Sequence, residues 1–399
     1  MNFIDAGIAL ALLPLVVVCG YLLLLAVVAR RLPTPAGEVP PVRFAMLVPA
    51  HNEAVGIAAT VASLLAVDYP AELRRVVVIA DNCSDDTAAL ARAAGAHVLE
   101  RHDDAKRGKG YALEYAFAQL TDIDAVVVVD ADTLVTANLL IAFARRLGAG
   151  AHALQAEYGV RNPEASWRTR LIVVALGIFH VLRSLARERM GVSCGLRGNG
   201  MGFSAQALRR VPHNAYSLVE DLEYGIRLAE AGYRVEFVHE ARVLGEMVSG
   251  EKASVSQRRR WEQGRALMLR QHLRPLLQRA FRERSKLYLD MAFDVLVPPL
   301  ATVAIACVVA VAVSAAYAVH LGALTLSLSV ALACAASVAI YVLRGVALSG
   351  AGWRGYVTLA AAPLYVLWKL TLLVRRDGNK KREWVRTHRE GQDSEGQAP

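Results

Sequence analysis

Charge is missing from two long stretches of this 399-residue chain. Residues 3–29 carry one charged side chain, Asp5, and residues 295–343 carry none. Runs of this kind exclude a purely soluble globular chain, since about 49 uncharged residues suffice for two membrane crossings and a turn. Cysteine is sparse and unpatterned. The five, Cys19, Cys83, Cys194, Cys307 and Cys334, contain no Cys-x-x-Cys pair, which excludes the usual zinc site and a disulfide framework. Cys19, Cys307 and Cys334 fall in the apolar stretches and read as packing residues, and the middle of the chain reads as cytosolic and reduced. No internal repeat is visible. No basic residue precedes the first apolar run and no Ala-x-Ala site follows it, so a retained anchor is expected there instead of a cleaved signal peptide. Arg30 and Arg31 then place Met1 outside and the following chain in the cytosol, and Pro14 is positioned to bend the helix.

What is present is a basic surplus of +9, and its location argues against a nucleic-acid surface. From 257 to 286 there are ten Lys/Arg and two Asp/Glu, alternating with Leu267, Met268, Leu273, Leu276 and Leu277 at roughly helical spacing. Beside a membrane span this reads as an interfacial helix on anionic lipid, with a solvated helix face as the plainer reading. The tail from 375 to 389 carries seven Lys/Arg and is expected in the cytosol. A further full span over 355–374 would put it outside. The segment 362–374, with Lys369 inside it, is therefore expected to be interfacial or re-entrant, for three spans in all and four as the alternative. The apolar run 171–182 is only twelve residues long, too short to cross, and reads as a buried or membrane-touching helix. The expected layout is an N-terminal span (1–31), a cytosolic catalytic domain (32–256), a basic interfacial segment (257–290), two spans (291–345), and an interfacial helix with a basic tail (346–399).

The middle of the chain alternates strands and helices. After a linker with Pro33, Pro35, Pro40 and Pro41, "FAMLVPA" (44–50) reads as a strand, 60–67 as a helix and "RVVVIADNCSDDT" (75–87) as a strand and polar turn. A helix (88–94), a strand (96–101), a helix (110–120) and the strand 125–130 follow. This alternation predicts a parallel, doubly wound sheet, with ligands at the carboxyl ends of the strands. The polar tips "PAHNE", "ADNCSDD" and "DADT" should open on one crevice.

The run "AVVVVDADTL" (125–134) delivers two carboxylates, Asp130 and Asp132, to the end of a strand buried on both faces. Carboxylates beside a core need a cationic partner. Hard oxygen ligands suit Mg2+ or Mn2+ carrying a substrate diphosphate. The competing local reading is helix capping by Asp132 or Thr133 over 134–147. Phosphatases of the haloacid dehalogenase type also place Asp-x-Asp after a strand, but near the start of their domain, whereas two βα units precede it here. In "SLVEDLEYGIRL" (217–228), Glu220, Asp221 and Glu223 crowd three carboxylates together. Crowding and desolvation make a general base, and a helix N-terminus rich in acids is the plainer reading. In "SQRRRWEQG" (256–264), Gln257, Arg260 and Trp261 fit Gln-x-x-Arg-Trp. A guanidinium clamps a diphosphate, although a basic run with an interfacial Trp also fits.

Taken in order, "PAHNE", "ADNCSDDT", "RGKGYAL", "DADT", "RGNGMGFS", "VEDLEYG" and "QRRRW" resemble the membrane-embedded family-2 glycosyltransferases, the group of cellulose, chitin and hyaluronan synthases and ceramide glucosyltransferase. The resemblance covers about residues 44–390. It implies an α/β GT-A fold, Rossmann-like with a doubly wound mixed sheet, in the cytosol under a multi-pass membrane anchor. It also implies roles. Pro49, Asn52, Glu53 and Asp81 would bind the nucleotide, usually uridine, and Lys109 would lie near the diphosphate. Asp130 and Asp132 would hold donor and metal. Asp221, beside Glu220, would be the general base. Gln257, Arg260 and Trp261 would close over donor and acceptor, and Gly198, Asn199 and Gly200 would line the acceptor side. The sequence departs from the group in lacking the aromatic-Cys-Gly-Ser pattern of cellulose synthases and in carrying Val219 where Thr is common. It also shows fewer spans after the catalytic domain.

The reaction expected is an inverting transfer from a nucleotide sugar, a UDP-sugar, to a growing polysaccharide. The alternative is a single transfer to a lipid acceptor. An inactive nucleotide-sugar-binding subunit is the reading from a different class.

Overall fold

A computed structural model describes residues 3–217, 219–247 and 251–360, without the side chains of 251–263 and 265. Two compact units divide the chain. One gathers 31–173 with 191–264, and the other 3–30, 174–190 and 265–360.

The first unit is built on an eight-stranded sheet among the described residues, in the order β3-β2-β1-β4-β7-β6-β8-β5. The strands are β1 Phe44–Ala50, β2 Arg74–Asp81, β3 His97–Arg101, β4 Ala125–Val128, β5 Thr133–Val135, β6 Ala153–Val160, β7 Met201–Ser204 and β8 Val235–Gly245. Strands β1 to β4 pair in parallel, whereas β7 runs antiparallel to β4 and β6. The sheet is therefore mixed, as the resemblance implies. The apolar runs of β1, β2 and β4 have no polar alternation because helices cover both faces, so every residue from Ala125 to Val129 is buried. Ile57, Val61 and Leu64 of helix Ile57–Leu65 and Leu139, Leu140 and Phe143 of helix Leu139–Gly148 pack on Met46, Val48, Val127 and Leu154. Full burial of each such large side chain stabilises the fold by about 1.5–3 kcal/mol.

Strand β1 lies between β2 and β4, so the strand order reverses there. The carboxyl ends of all three open on one crevice, the position where such sheets bind ligands. One local expectation fails. Neither Asp132 nor Thr133 caps a helix: Thr133–Val135 is a short strand paired with Val243–Gly245 of β8, and the next helix starts after Asn138. The β-branched Thr133 and Val135 suit a strand that has a partner waiting.

The second unit is helical. Helices Leu300–Leu321 and Leu326–Leu348 are long and apolar enough to cross a membrane. Helices Phe3–Ala11 and Leu13–Val28 qualify together, bent by 51°. Pro14 stands at the start of the second of these, where its missing N–H and its ring break the hydrogen-bond ladder. The charge in this apolar run has a defined use. Asp5 accepts from the free N–H groups of Leu326 (2.9 Å) and Ser327 (3.0 Å), capping a helix more than 300 residues away. Cys19 Sγ lies 3.9 Å from Cys307 Sγ, and all five cysteines are free thiols.

The run 171–182 proves to be part of a longer helix over Trp167–Met190, 24 residues with a π turn at Gly177–Leu182. Polar residues at both ends concealed its length, so the argument from shortness fails. By length and composition this helix too is able to cross a membrane, and it lies between β6 and β7, which are hydrogen-bonded neighbours. Its second half carries Arg183 and Arg187, both 2% exposed. Arg187 contacts Asp290 (3.2 Å), Asp294 (3.0 Å) and the Tyr21 hydroxyl (3.0 Å). Arg183 contacts Asp294 (3.1 Å) and the Tyr341 hydroxyl (2.9 Å). Two cations and two anions from different helices therefore balance inside this unit.

The segment 362–374 and the basic tail lie outside the described residues. The basic segment 257–286 forms helix Glu251–Arg282, followed by helix Lys286–Leu296. Along its described part Met268, Leu276 and Ala280 are buried while Leu267 and Phe281 are exposed.

Candidate active site

The turns that follow β1 and β2 interlock at the carboxyl edge of the sheet. Asn52 and Asn82 both adopt left-handed backbone, with φ 55° and 51°, which Asn tolerates better than other side chains. Each turn uses this to grip the other. Ser84 N donates to Asn52 Oδ1 (2.7 Å), Asn52 Nδ2 donates to Ser84 Oγ (3.1 Å), and His51 Nδ1 donates to the Asp81 carbonyl (2.8 Å). Glu53 N donates to Thr87 Oγ1 (2.7 Å) and Ala54 N to Asp85 (3.2 Å). Pro49 sits inside β1, opposite Ile79.

Asp81 ends β2 and is buried. Its Oδ1 takes hydrogen bonds from Arg101 Nη1 (2.6 Å) and Asn82 Nδ2 (3.1 Å). Arg101 also reaches Asp103 at 3.1 Å. Sequence reasoning did not pick out Arg101, although the signal was present: an arginine ends the strand expected next to β2, and parallel pairing sets it opposite Asp81.

The cation that Asp130 needs is Lys109. Its Nζ donates to Asp130 Oδ1 (2.5 Å) and to the Gly198 carbonyl (2.5 Å). Lys109 begins helix Lys109–Gln119, at the positive end of the helix dipole, where an ammonium is disfavoured without an anion. Burial would lower its pKa. Attraction from Asp130 and Glu220, the hydrogen bond to Asp130, and Asp221 overcome this and the net shift is upward.

Glu220, Asp221 and Glu223 occupy the first turn of helix Glu220–Glu230, but only two of them face Lys109. Glu223 is used locally, accepting from Ser217 N (3.3 Å) and pairing with Arg227 (3.9 Å). Burial, then the adjacent Asp221 charge, pushes the Glu220 carboxyl up to about 7. Burial also raises Asp221, opposed by the Leu222 N–H (2.8 Å), Lys109 and Arg197, all of which favour its ionised form. Both carboxyls are thus raised, and the Asp221 charge is one of the causes for Glu220.

The loop 197–200 separates the two acid clusters. A Cβ at Gly198, whose φ is +79°, would lie 3.5 Å from Asp221 Oδ2 and 3.9 Å from Lys109 Nζ. The other two residues that the resemblance sets on the acceptor side are buried. Asn199 is 1% exposed, and its side chain turns away from the crevice, accepting from Asp130 N (3.1 Å) and donating to Thr133 Oγ1 (2.7 Å). Gly200 is buried against Val243 and Ala156, with no room for a Cβ. Of the three, Gly198 is the one set between Asp221 and Lys109. Gln155, 1% exposed and absent from the sequence expectations, fixes the loop. Its amide donates to the Asn199 carbonyl (2.7 Å) and accepts from Arg197 N (2.8 Å).

Gln257, Arg260 and Trp261 belong to helix Glu251–Arg282, and their side chains lie outside the described residues. Gly264, one turn further on, packs against Val219, the residue before Glu220; a Cβ there would fall 2.5 Å from Val219 Cγ1.

Among the described residues no three His, Cys, Asp or Glu side chains group as a self-sufficient metal cage. A magnesium or manganese ion does not require one. It binds through one or two carboxylates and completes its shell from substrate phosphate and water. Asp130 and Asp132, two hard carboxylates on one turn, fit that pattern.

Comparison with known proteins shows the family. Residues 40–264 match the family described as glycosyltransferase-like family 2. A beta-monoglucosyldiacylglycerol synthase of Synechocystis is 30% identical over 57% of this chain and 49% of its own length. A probable glycosyltransferase of Bacillus subtilis, YdaM, is 25% identical over 56% of this chain and 55% of its own. The chain thus matches about half the length of these curated relatives. A mannosyltransferase from Pyrobaculum calidifontis, solved with GDP-Man and Mn2+, aligns over 86% of this chain and 98% of that one, at 18% identity and a TM-score of 0.49. With its mixed sheet, its crevice at the strand-order reversal and more than half of its length matched, the chain belongs to the family-2 glycosyltransferases and has their GT-A fold.

Proposed function

We infer that this chain transfers a sugar, with inversion, from a UDP-sugar to the hydroxyl of a membrane lipid at the cytosolic face. The observation that carries the chemistry is the single ammonium of Lys109, which holds the donor-side acid turn at Asp130 and is close enough to Glu220 and Asp221 to shift both. In this reading Asp221 takes the proton of the acceptor hydroxyl. The acceptor oxygen bonds to the anomeric carbon as the bond from that carbon to the diphosphate oxygen breaks, and the electron pair leaves with the diphosphate. Positioning and fixed charge supply most of the rate. Lys109 and Arg260 neutralise the leaving group, while Pro49, Asn52, Glu53 and Asp81 seat the nucleotide. Gln257 and Trp261 close over donor and acceptor. Asp132, with Asp130, would hold Mg2+ or Mn2+, which when bound adds positive charge at the diphosphate.

The lipid acceptor is preferred here to the polysaccharide expected from sequence. Two supports favour it: the similarity to monoglucosyldiacylglycerol synthases and the small number of candidate crossings among the described residues. A glycerolipid hydroxyl is the acceptor class this suggests. The orientation follows from Arg30 and Arg31 behind the first apolar run. The test is to supply labelled UDP-sugars to the full chain in lipid nanodiscs and separate the products. Label should partition with the lipids. Label in solvent-insoluble polymer would return the acceptor to polysaccharide.

The carboxyl pair sets a pH dependence. Asp221 must be ionised to act, so kcat/KM should fall on acidification, along a limb above the ordinary carboxylate range. Glu220 loses its proton near pH 7 and then places a negative charge beside Asp221, which makes Asp221 more basic. A Glu220→Gln variant should lose the inflection near pH 7 and keep the lower one, read from kcat/KM between about pH 5 and 9. An inflection near 7 that survives in the variant would belong to another group.

A further inference from the structure

Asp132 ends the four-residue connection between β4 and β5, and something must aim its carboxylate. A chain of hydrogen bonds ends on it. Asn199 Nδ2 donates to Thr133 Oγ1 (2.7 Å), and Thr133 Oγ1 donates to Asp132 Oδ1 (3.2 Å). The other end of the same amide, Asn199 Oδ1, accepts from Asp130 N (3.1 Å). One carboxamide therefore grips both halves of the Asp-x-Asp turn, the backbone of Asp130 directly and the side chain of Asp132 through a hydroxyl.

The direction of the chain is fixed by chemistry. The amide nitrogen can only donate, so it occupies a lone pair of the Thr133 oxygen and leaves the hydroxyl proton for the carboxylate. Thr133 is fully buried and Asn199 is 1% exposed, so water does not compete for these bonds. The relay is itself anchored, because Gln155 holds the Asn199 carbonyl and the Arg197 N–H. Next to Asn199, Gly198 meets Asp221 and Lys109. The donor-side turn and the acceptor-side loop are thus set in register by one buried side chain.

We propose that Asn199 and Thr133 are positioning residues, a buried relay that orients Asp132 for the metal-bound diphosphate and ties that turn to the loop beside Asp221. The proposal rests on the reading of this crevice as a nucleotide-sugar site. Partners that orient a ligating carboxylate commonly change metal affinity by about 10–100-fold when removed.

The test compares Thr133→Val, which keeps the shape and deletes the hydroxyl, with Thr133→Ser, which keeps the hydroxyl and deletes the methyl. UDP and GDP binding to the full chain in nanodiscs is measured by calorimetry with and without Mn2+, beside the thermal unfolding midpoint. Thr133→Val should weaken the Mn2+-dependent binding by about 10–100-fold and leave metal-free nucleotide binding unchanged. Thr133→Ser should restore most of the loss. If Val is not tolerated at this position, Thr133→Ala makes the same deletion, and Asn199→Leu removes the relay from its other end with the same expected loss. Mn2+-dependent binding of wild-type strength in Thr133→Val, or Thr133→Ser no better than Val, would overturn the relay, since a packing role would make the loss follow the methyl. A wild-type chain whose binding of both nucleotides ignores Mn2+ would overturn the donor-site reading and the relay with it.

Discussion

Replacing Asp221 by Asn is expected to cut turnover by about 10²–10⁴-fold while nucleotide binding stays near wild type. The substitution is close to isosteric. Asn still offers an oxygen to the Leu222 N–H, so the helix start at Glu220 is kept. Lys109 keeps its bonds to Asp130 and the Gly198 carbonyl, neither of which involves Asp221. The ability to take a proton beside Gly198 is lost, together with one of the charges that favour the Lys109 ammonium. The same change removes the Asp221 charge that helps push Glu220 up to about 7, so Glu220 ionises more readily in the variant. Steady-state rates beside direct nucleotide binding would check this. Near-normal turnover would move the base elsewhere, and a matching loss of nucleotide binding would make Asp221 a donor-site residue instead.

The second large effect lies in the helical unit. Arg187→Met should destabilise the protein by about 3–5 kcal/mol, because Asp290 would then be buried without its cation. Arg187 is 2% exposed and lies 3.2 Å from Asp290 and 3.0 Å from Asp294. Arg183 can still neutralise Asp294 at 3.1 Å, which leaves one excess negative charge. The Tyr21 hydroxyl, 2.9 Å from Asp290 Oδ1, softens that charge but cannot cancel it. The double variant Arg187→Met with Asp290→Leu removes both members of the pair and should recover most of the loss, since a well-packed apolar pair is often as stable as a buried ion pair. Unfolding midpoints in detergent would show it. A single variant that melts with wild type would mean the cluster is hydrated, and a double variant as weak as the single would mean that packing, not charge, is at stake.

Much of the central sheet was legible because its chemistry is local. The strand expected at 44–50 is Phe44–Ala50, and the valine runs of β2 and β4 are unbroken because both their faces are buried. The crevice followed from the polar tips of parallel strands. What escaped notice depends on partners distant in sequence. Thr133 looked like a cap because nothing nearby shows that β8 will pair with it. The resemblance set Asn199 on the acceptor side, and nothing in the sequence tells that its amide bonds Asp130 and Thr133. Asp5 was a stray charge until Leu326 and Ser327 arrived to be capped. Arg183 and Arg187 follow the apolar run 171–182, and only Asp290 and Asp294, about a hundred residues later, turn them into a buried cluster. Composition records that these groups exist, and only the fold tells which of them meet.

The most direct test of sugar transfer at the Lys109–Asp130–Asp221 crevice is nucleotide release by the full chain in lipid nanodiscs. A panel of UDP-sugars would be supplied with Mg2+ or Mn2+, with Asp221→Asn alongside. Release from one donor, matched by an equal amount of sugar in the lipid fraction and lost in the variant, is the expected result. Release that persists in Asp221→Asn, or donors that bind and are never turned over with lipid present, would contradict it.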